Sequence, residues 1–262
     1  MTHLNANEIQ NALSLEWNTL AFPSKFLISY GVFMVLALAL TYLYSLTDER
    51  TIREVGVCVK PMKFMAATAL FGFSTVWVLK ISNSNVEQAD VFRWISALIV
   101  LTSFFEVAYI SRQASLGLAS HYNNSDTFHA LMFALMGLAA VGLVASQAWL
   151  AWEIWKEQSE AGVNVVTLGV MVGLMLTFVL SVLSGFLLGG HQPPAGQGLP
   201  LVGWHFYKDS RPAHFLGVHA QQVIPLMGLL AAKFLGSYAN QGLILGSALY
   251  TLVWAVLAWL SF

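Results

Sequence analysis

Seven long apolar runs, each about the length of a membrane-crossing helix, constrain the fold of this chain more than any other feature. A helix needs about 20 consecutive apolar residues to cross the hydrocarbon core of a bilayer. Such runs cover residues 26–46, 62–81, 92–112, 127–152, 165–189, 212–235 and 241–262. Only 10% of the 262 residues are charged and 57% are hydrophobic, whereas a soluble domain has about 25% charged residues. The sequence therefore predicts an all-α integral membrane protein, built as a seven-transmembrane-helix bundle.

The boundaries of the runs carry helix-start signals and leave no room for a soluble domain. Pro23-Ser24 precedes the first run, and Ser210-Arg211-Pro212 opens the sixth with proline in the first turn. Residues 153–164 are rich in charge and are predicted to form a loop. The longest connection, 189–211, is too short for an inserted domain. Residues 26–262 are therefore predicted to form one membrane domain.

The first 25 residues are predicted to form a separate interfacial segment. They lack the basic stretch followed by an apolar core that marks a cleaved signal peptide. Ile9, Leu13 and Trp17 recur at four-residue spacing among polar residues. This pattern is typical of a short helix lying in the membrane interface. A disordered polar tail is the alternative interpretation.

Charge and cysteine content restrict the partners. A formal net charge of −1 offers no basic surface for nucleic acid, so membrane lipids are the expected surroundings. The single cysteine, Cys58, excludes an internal disulfide, and any metal would have nitrogen and oxygen ligands. Loops on the C-terminal side hold slightly more basic residues, which favours a cytoplasmic C-terminus. The expected location is a bacterial inner membrane, and the sequence leaves the oligomeric state open.

Ionisable residues concentrate around two loops on the side of the C-terminus. Five of the seven histidines fall between His121 and His214. Ionisable groups at or below the edge of a membrane span are costly to keep, so they indicate a functional site. We expect an outer layer of this site to contain Arg112, His129, His191, Asp209, Arg211 and His214.

A deeper layer is expected beneath these residues. Glu106 lies six residues before Arg112, about 9 Å deeper along a helix, with Tyr109 and Gln113 on the same face. His219 follows His214 by five residues and lies about 7.5 Å deeper, which matches the depth of Glu106. We therefore expect the third and sixth spans to meet and to bring together an inner layer. That layer comprises Glu106, His219 and Gln222.

Pro225 indicates a local distortion of the sixth span. Proline has no N–H, so the carbonyl of Gln221 loses its helical donor and a kink is expected just below the site. A freed carbonyl is tolerated in a membrane where it faces a polar cavity.

The favoured function is a metal-dependent membrane enzyme, a hydrolase or oxidoreductase, acting on a lipid or other apolar substrate. Imidazole and carboxylate ligands suit Zn²⁺ or Fe²⁺, and an open coordination position activates water or oxygen. The candidate metal ligands are His129, His191, His214, His219 and Glu106. Glu106 and His219 are also the candidate catalytic residues. The candidate substrate-binding residues are Arg112, Arg211, Gln222 and Tyr109, with the arginines as anchors for an anionic group.

Three alternatives remain open on the sequence alone. Histidines near helix ends could ligate haem, with arginines paired to its propionates, in an electron-transfer protein. The polar cluster could instead bind an ion or a small anion in a transporter or sensor. In the third alternative the groups are structural: Glu106 bonds a neighbouring helix, and Asp126 with His129 forms a helix cap.

Overall fold

The computed structural model describes residues 16–82, 84–158, 163–196, 198–199, 203–205 and 207–262. Seven helices in these ranges are long and apolar enough to cross a membrane. They are α1 Phe22–Ser45, α2 Val59–Ile81, α3 Asp90–Ser115, α4 Thr127–Glu157, α5 Val165–Gly190, α6 Arg211–Phe234 and α7 Ala239–Trp259. A small hairpin, β1 Thr51–Ile52 and β2 Val55–Gly56, lies between α1 and α2. The predicted integral membrane helix bundle is confirmed.

The largest differences from the predicted helix boundaries are at the end of α4 and the start of α1. The segment 153–164 was expected to be a loop, but α4 continues to Glu157. Side chains stabilise its charged last turns. Lys156 pairs with Glu153 at 2.5 Å within the helix. Glu157 accepts a hydrogen bond of 2.8 Å from the backbone N–H of Asn85, which lies in another part of the chain. At the other boundary, α1 begins at Phe22, because Pro23 can occupy the first turn of a helix.

The predicted N-terminal interfacial helix falls mainly on residues 1–15, which lie outside the described residues. The described part of this segment contains a single 3₁₀ turn, Trp17–Thr19.

Helices α5 and α6 form a close antiparallel pair through a row of small residues. On α5 these residues recur every four positions, as Gly169, Gly173, Thr177, Ser181 and Gly185. Small residues at this spacing let helix backbones approach each other in a membrane, where no hydrophobic effect drives helix association.

Glycines on both helices provide the space for this approach. A Cβ on Gly217 of α6 would lie 2.8 Å from the backbone nitrogen of Ser181. A Cβ on Gly173 of α5 would lie 2.7 Å from Cδ of Pro225. Gly173 therefore accommodates the proline ring in the middle of α6.

Helices α2 and α6 run parallel and in register. Gln222 on α6 donates a hydrogen bond of 2.9 Å to Ser74 on α2, across 148 positions of the chain. Arg211 and Lys63 interact electrostatically at the same sequence offset, one at the start of each helix. His219 therefore lies about three residues shallower than the level of Ser74.

The expected contact between the third and sixth spans is replaced by a contact of each with α2. This helix packs against both α3 and α6. Glu106 on α3 lies one turn from Ser103, whose hydroxyl bonds Tyr30 at 2.8 Å, and Tyr30 lies beside Thr68. By the rise of a helix, His219 is then roughly 5–10 Å deeper than Glu106, so their expected equal depth is wrong. The sequence does not specify how neighbouring helices slide against each other.

We predict that Gly217→Ala destabilises the protein, because the new methyl group meets backbone atoms of α5 that cannot rotate away. Overpacking of this kind costs about 1–3 kcal/mol. The matched control is Gly137→Ala in α4, where a Cβ meets nothing within 4 Å. This control should be neutral or slightly stabilising, because alanine favours a helix over glycine by about 1 kcal/mol. Thermal unfolding in detergent measures both, and equal melting temperatures for the two variants would contradict the packing of α5 on α6.

Candidate functional site

Three loops meet at one end of the bundle, which we call the charged end. They connect α1 to α2, α3 to α4 and α5 to α6. The β1–β2 turn joins the first loop to the third: Arg53 donates a hydrogen bond to the carbonyl of Pro193 at 2.7 Å, and its own carbonyl accepts from Gly196 at 3.2 Å. Tyr122 joins the second loop to the third, because its hydroxyl donates to the carbonyl of Leu188. The loops therefore form one connected surface.

Strained backbone concentrates at this end. Among the described residues, the non-glycine positions with positive φ are Arg53 at 52°, Glu54 at 67°, Tyr122 at 55° and Lys208 at 57°. A non-glycine residue in this conformation costs on the order of 1–3 kcal/mol, and such residues cluster at functional sites. The side chains of Arg53 and Tyr122 are held by their hydrogen bonds to Pro193 and Leu188.

Asp209 holds Arg211 in place at the first turn of α6. Its buried carboxylate accepts two hydrogen bonds from the Arg211 guanidinium at 2.7 and 2.8 Å, and one from the backbone N–H of His205 at 2.8 Å. Burial alone would raise the pKa of Asp209, but the hydrogen bonds from Arg211 and from the backbone hold it below its usual value. Asp209 thus remains ionised, and the guanidinium is held in one orientation.

The inner cluster of the charged end consists of Lys60, Glu106 and His121. Lys60 lies in the first turn of α2 and interacts electrostatically with Glu106, which is 5% exposed on α3. Lys60 also interacts with His121 in the loop between α3 and α4. Three separate segments of the chain therefore bring a cation, a carboxyl group and an imidazole together beside the membrane core.

His121 is enclosed by aromatic rings. Its ring centroid lies 6.1 Å from that of Phe64 and 5.7 Å from that of Phe133. Burial, with a smaller effect of the nearby Lys60, lowers the pKa of His121 to about 3. The imidazole is therefore neutral at physiological pH and can accept a proton only weakly.

The outer cluster consists of Arg53, Lys63, Tyr122, Asp209 and Arg211. Lys63 interacts electrostatically with both Arg211 and Asp209, and Tyr122 interacts with Arg53 and Arg211. Burial is the main cause that raises the pKa of Tyr122, so its hydroxyl stays protonated. Together the two clusters bring Arg53, Lys60, Lys63 and Arg211 within electrostatic range of one another, and we call the region between these four side chains the entrance.

These cations occupy the unfavourable ends of two helices. Lys60 and Lys63 lie near the start of α2 and Arg211 at the start of α6, and neither described helix has an acidic residue in its first turn. The N-terminal end of a helix carries partial positive charge, which favours anions and repels cations. Arg211 is compensated by Asp209, and Lys63 also interacts with Asp209, so Lys60, which forms no direct ion pair within the described ranges, is the cation that favours an external anion.

Buried polar atoms without a good partner line α3 beside Glu106. Gln113 is 0% exposed, and neither atom of its amide has a hydrogen bond to another described residue. The hydroxyl of Tyr109, one turn away, is close to Gln113 but makes no well-aligned hydrogen bond with a described group. Buried polar groups are normally paired, so this stripe has capacity for further hydrogen bonds.

The predicted histidine ligands lie in separate surroundings. His129 bonds the carboxylate of Asp126 at 2.7 Å, and the same carboxylate accepts from the backbone N–H of His129 at 2.9 Å. This is the helix cap that was the alternative interpretation. His191 is exposed, and its ring lies 6.4 Å from that of Phe262.

The two histidines of α6 have different partners. His214 lies 3.2 Å from the hydroxyl of Ser184 on α5. His219 lies 3.2 Å from the amide oxygen of Gln222, with the ring of Phe215 at 4.1 Å. His214 and His219 interact electrostatically with each other, whereas the charged partner of Glu106 is Lys60. Across the described residues, no three His, Cys, Asp or Glu side chains form a group that could hold a metal ion. The expected histidine cluster with Zn²⁺ or Fe²⁺ therefore has no support in the described geometry.

The predicted substrate-binding residues divide between two places. Arg211 lies in the outer cluster, and Tyr109 is buried one turn from Glu106. Arg112 is exposed at the end of α3, near Tyr109. Gln222 is directed to Ser74 on α2, well below the charged end.

Sequence analysis did not identify Arg53, Lys60 or Lys63 as site residues. The second span was predicted to start at residue 62, so Lys60 fell in the preceding loop and Lys63 at the very edge of the span. Pro61 was the available signal: proline is common in the first helical turn, so the helix begins at Val59 and carries Lys60 and Lys63 one turn apart. Arg53 could not be found, since its contacts depend on the fold of two loops.

No protein-family model matches this chain, and no curated protein or solved structure gives a significant match.

We predict that the protein loses stability as the pH falls below 6.5, and that His121→Phe reduces this loss. The ring stays neutral in the folded state down to about pH 3, whereas the unfolded chain protonates near 6.5. Between these values the unfolded chain binds more protons, so stability is full above pH 6.5 and decreases toward pH 3. Phenylalanine retains the aromatic packing without the titration. Thermal unfolding on both sides of pH 6.5 tests this, and an unchanged acid response in the variant would contradict it.

Proposed function

We propose that this integral membrane protein binds the anionic head of a lipid-like molecule at the charged end. The observation that carries the proposal is the convergence of Arg53, Lys60, Lys63 and Arg211 around one entrance, at the starts of two helices. Phosphate and carboxylate groups are the ligands that such an arrangement favours.

The carboxylates near the entrance leave part of its positive charge available to an anionic ligand. Asp209 is already engaged with Arg211 and two backbone N–H groups. Glu54 lies on the same hairpin as Arg53, near Gly196. Glu106, the carboxyl group of the inner cluster, interacts electrostatically with Lys60. An anion at the entrance would therefore gain attraction that the described carboxylates leave available.

A cavity beside the first turn of α2 could hold the apolar part of the ligand. A largely apolar cavity of about 270 Å³ lies between α1, α2 and α3, beside the first turn of α2. Pro61, next to Lys60, lines this cavity together with Leu40 and Ala114. A molecule whose head lies at Lys60 could place part of a hydrocarbon chain there. This arrangement favours an amphiphile over a free ion.

Glu106 is the candidate acid–base group of this site. It is buried and interacts with Lys60, which in turn interacts with the neutral imidazole of His121. Buried carboxyl groups with a charged partner often exchange protons with a bound molecule. This retains Glu106 as the catalytic candidate and gives His219 no part in the proposed site. The proposal needs no metal ion.

Binding to purified protein in lipid nanodiscs tests the proposal by native mass spectrometry. Phosphatidylglycerol and phosphatidylcholine with identical acyl chains separate head-group charge from chain burial. We predict that Lys60→Gln weakens binding of the anionic lipid about tenfold, since a lost charge-assisted contact is worth about 1.5–3 kcal/mol. Arg93→Gln is the matched control, because Arg93 is an exposed cation at the opposite end of α3, paired with Asp90 at 3.3 Å. Equal binding of both lipids, or an equal loss in the control, would overturn the proposal.

Glu106→Gln provides a test in the opposite direction. Removing a negative charge beside Lys60 leaves the ammonium group more attractive to an anion, so we predict that anionic lipid binds several-fold more tightly. Damage to folding would weaken binding in both variants. Opposite effects of Lys60→Gln and Glu106→Gln, seen in the same titration, therefore identify an electrostatic site. Weaker binding in both would argue against the assigned positions.

A further inference from the structure

A second set of polar side chains lies in the middle of the bundle, away from the charged end. We call it the polar layer. It consists of Ser74 and Thr75 on α2, Gln147 on α4, Thr177 and Ser181 on α5, and Gln221 and Gln222 on α6. Nothing in the proposed function uses these residues. Uncharged but strongly polar groups inside a membrane bundle are costly and indicate a functional role.

Hydrogen bonds connect one half of the polar layer. Gln222 donates to Ser74 at 2.9 Å, and the adjacent Thr75 lies 3.5 Å from the amide nitrogen of Gln147. His219 lies 3.2 Å from the amide oxygen of Gln222. Residues from α2, α4 and α6 thus meet at one level of the membrane.

The pairing of α5 with α6 gives the positions of the other half of the polar layer, which contains Thr177, Ser181 and Gln221. Gly217 is opposite Ser181 and Gly173 is opposite Pro225, and these two contacts fix the antiparallel pairing of the helices. Halfway between them, Thr177 lies opposite Gln221. The two halves of the layer are joined because Gln221 and Gln222 are neighbours in α6.

Several atoms of the polar layer have no hydrogen-bond partner among the described residues. They are both amide atoms of Gln221, the amide oxygen of Gln147 and the hydroxyl of Ser181. The side chains of Gln221 and Gln147 are 0% exposed and that of Ser181 is 2% exposed. In addition, Pro225 leaves the backbone carbonyl of Gln221 without its helical donor. An unpaired amide in a dry apolar environment is strongly unfavourable, and buried water is its usual partner.

Polar groups also extend from the layer toward the charged end. Ser184 lies one turn from Ser181 on α5 and is 3.2 Å from His214. His214 interacts electrostatically with His219 and lies one turn from Arg211, which belongs to the outer cluster. Hydroxyl and imidazole groups of α5 and α6 therefore occur between the charged end and the level of Gln221.

From this arrangement we infer that the polar layer binds water and is the inner end of a hydrated path that opens at the charged end. Water supplies both the donors and the acceptors that Gln221, Gln147 and Ser181 require. Because Gly217 packs directly on the backbone of Ser181, the path passes His214 and His219 on the adjoining face of α6 and ends at the level of Gln221 and Gln222. The inference does not depend on lipid binding at the entrance.

Thiol reactivity tests the inference. Cys58 is the single cysteine, so Cys58→Ser gives a background free of thiols. Ser181→Cys then places a near-isosteric thiol in the polar layer. The matched control is Leu183→Cys, two positions further on α5 at almost the same depth, where the side chain is 50% exposed to the lipid side. The probe is the silver ion, which is comparable in size with a water molecule, and the readout is the thiol left for a fluorescent maleimide after unfolding in SDS.

We expect silver to react with Ser181→Cys about tenfold faster or more than with Leu183→Cys, because the reactive thiolate forms in water and not in hydrocarbon. In oriented vesicles the reaction should occur with silver added on the side of the charged end. Equal slow reaction of both thiols would show that the layer is dry and would overturn the inference. Faster reaction from the opposite side would overturn the assigned direction of the path.

Gln221→Leu, added to the Ser181→Cys protein, provides a second test. Leucine retains the approximate volume of glutamine but offers no hydrogen bond to water, so the silver reaction should slow severalfold. An unchanged rate would show that Gln221 does not hold the water. Lipid binding, measured on the Cys58→Ser protein, reports independently on the charged end, so failure of one proposal is distinguishable from failure of the other.

Discussion

Hydrocarbon cannot replace the hydrogen bonds that water gives to polar groups, and this constraint determines where the polar side chains of this bundle lie. Most backbone groups of the spans are paired within their own helix, so the side chains decide which helices meet. Gln222 reaches Ser74, Ser103 reaches Tyr30, and Glu106 lies beside Lys60. The small residues of α5 and α6 allow these two helices to approach each other closely. This approach encloses Gln221, whose side chain could not face lipid.

The helices could be predicted from the sequence because their signal is local. Run lengths of about 20 apolar residues, with proline and polar residues at the starts, predicted all seven spans to within a few residues. The extension of α4 to Glu157 was missed because its support comes from Asn85, far away in the chain. Composition identifies a loop by its charge, but tertiary contacts decide whether the helix continues.

The site was only partly predictable, because counting along one helix does not give the depth of another. Glu106 was identified correctly as a buried ionisable residue, and Arg211 interacts with Lys63 at the charged end. The pairing of Glu106 with His219 was wrong, since it assumed that all spans begin at the same level and that α3 meets α6. The helix that contacts both is α2, and its lysines were not predicted as site residues. Pro61 was the signal that α2 begins at Val59, which places Lys60 in the helix and not in the preceding loop.

The opposite end of the bundle shows what structural charges look like in the same protein. There Glu87 pairs with Lys80 at 3.2 Å and accepts the backbone N–H of Ala21 at 2.9 Å, while Glu157 accepts hydrogen bonds from Ser84 and Asn85. These carboxylates have nearby donors and connect one helix end to the next. At the charged end Asp209 is paired with Arg211 in the same way. Lys60 and Arg211, however, lie at helix starts, where the helix dipole repels cations, and Arg53 lies in a strained turn. In the proposed function an anion offsets this repulsion, and the difference between the two ends is the physical basis for proposing a ligand at only one of them.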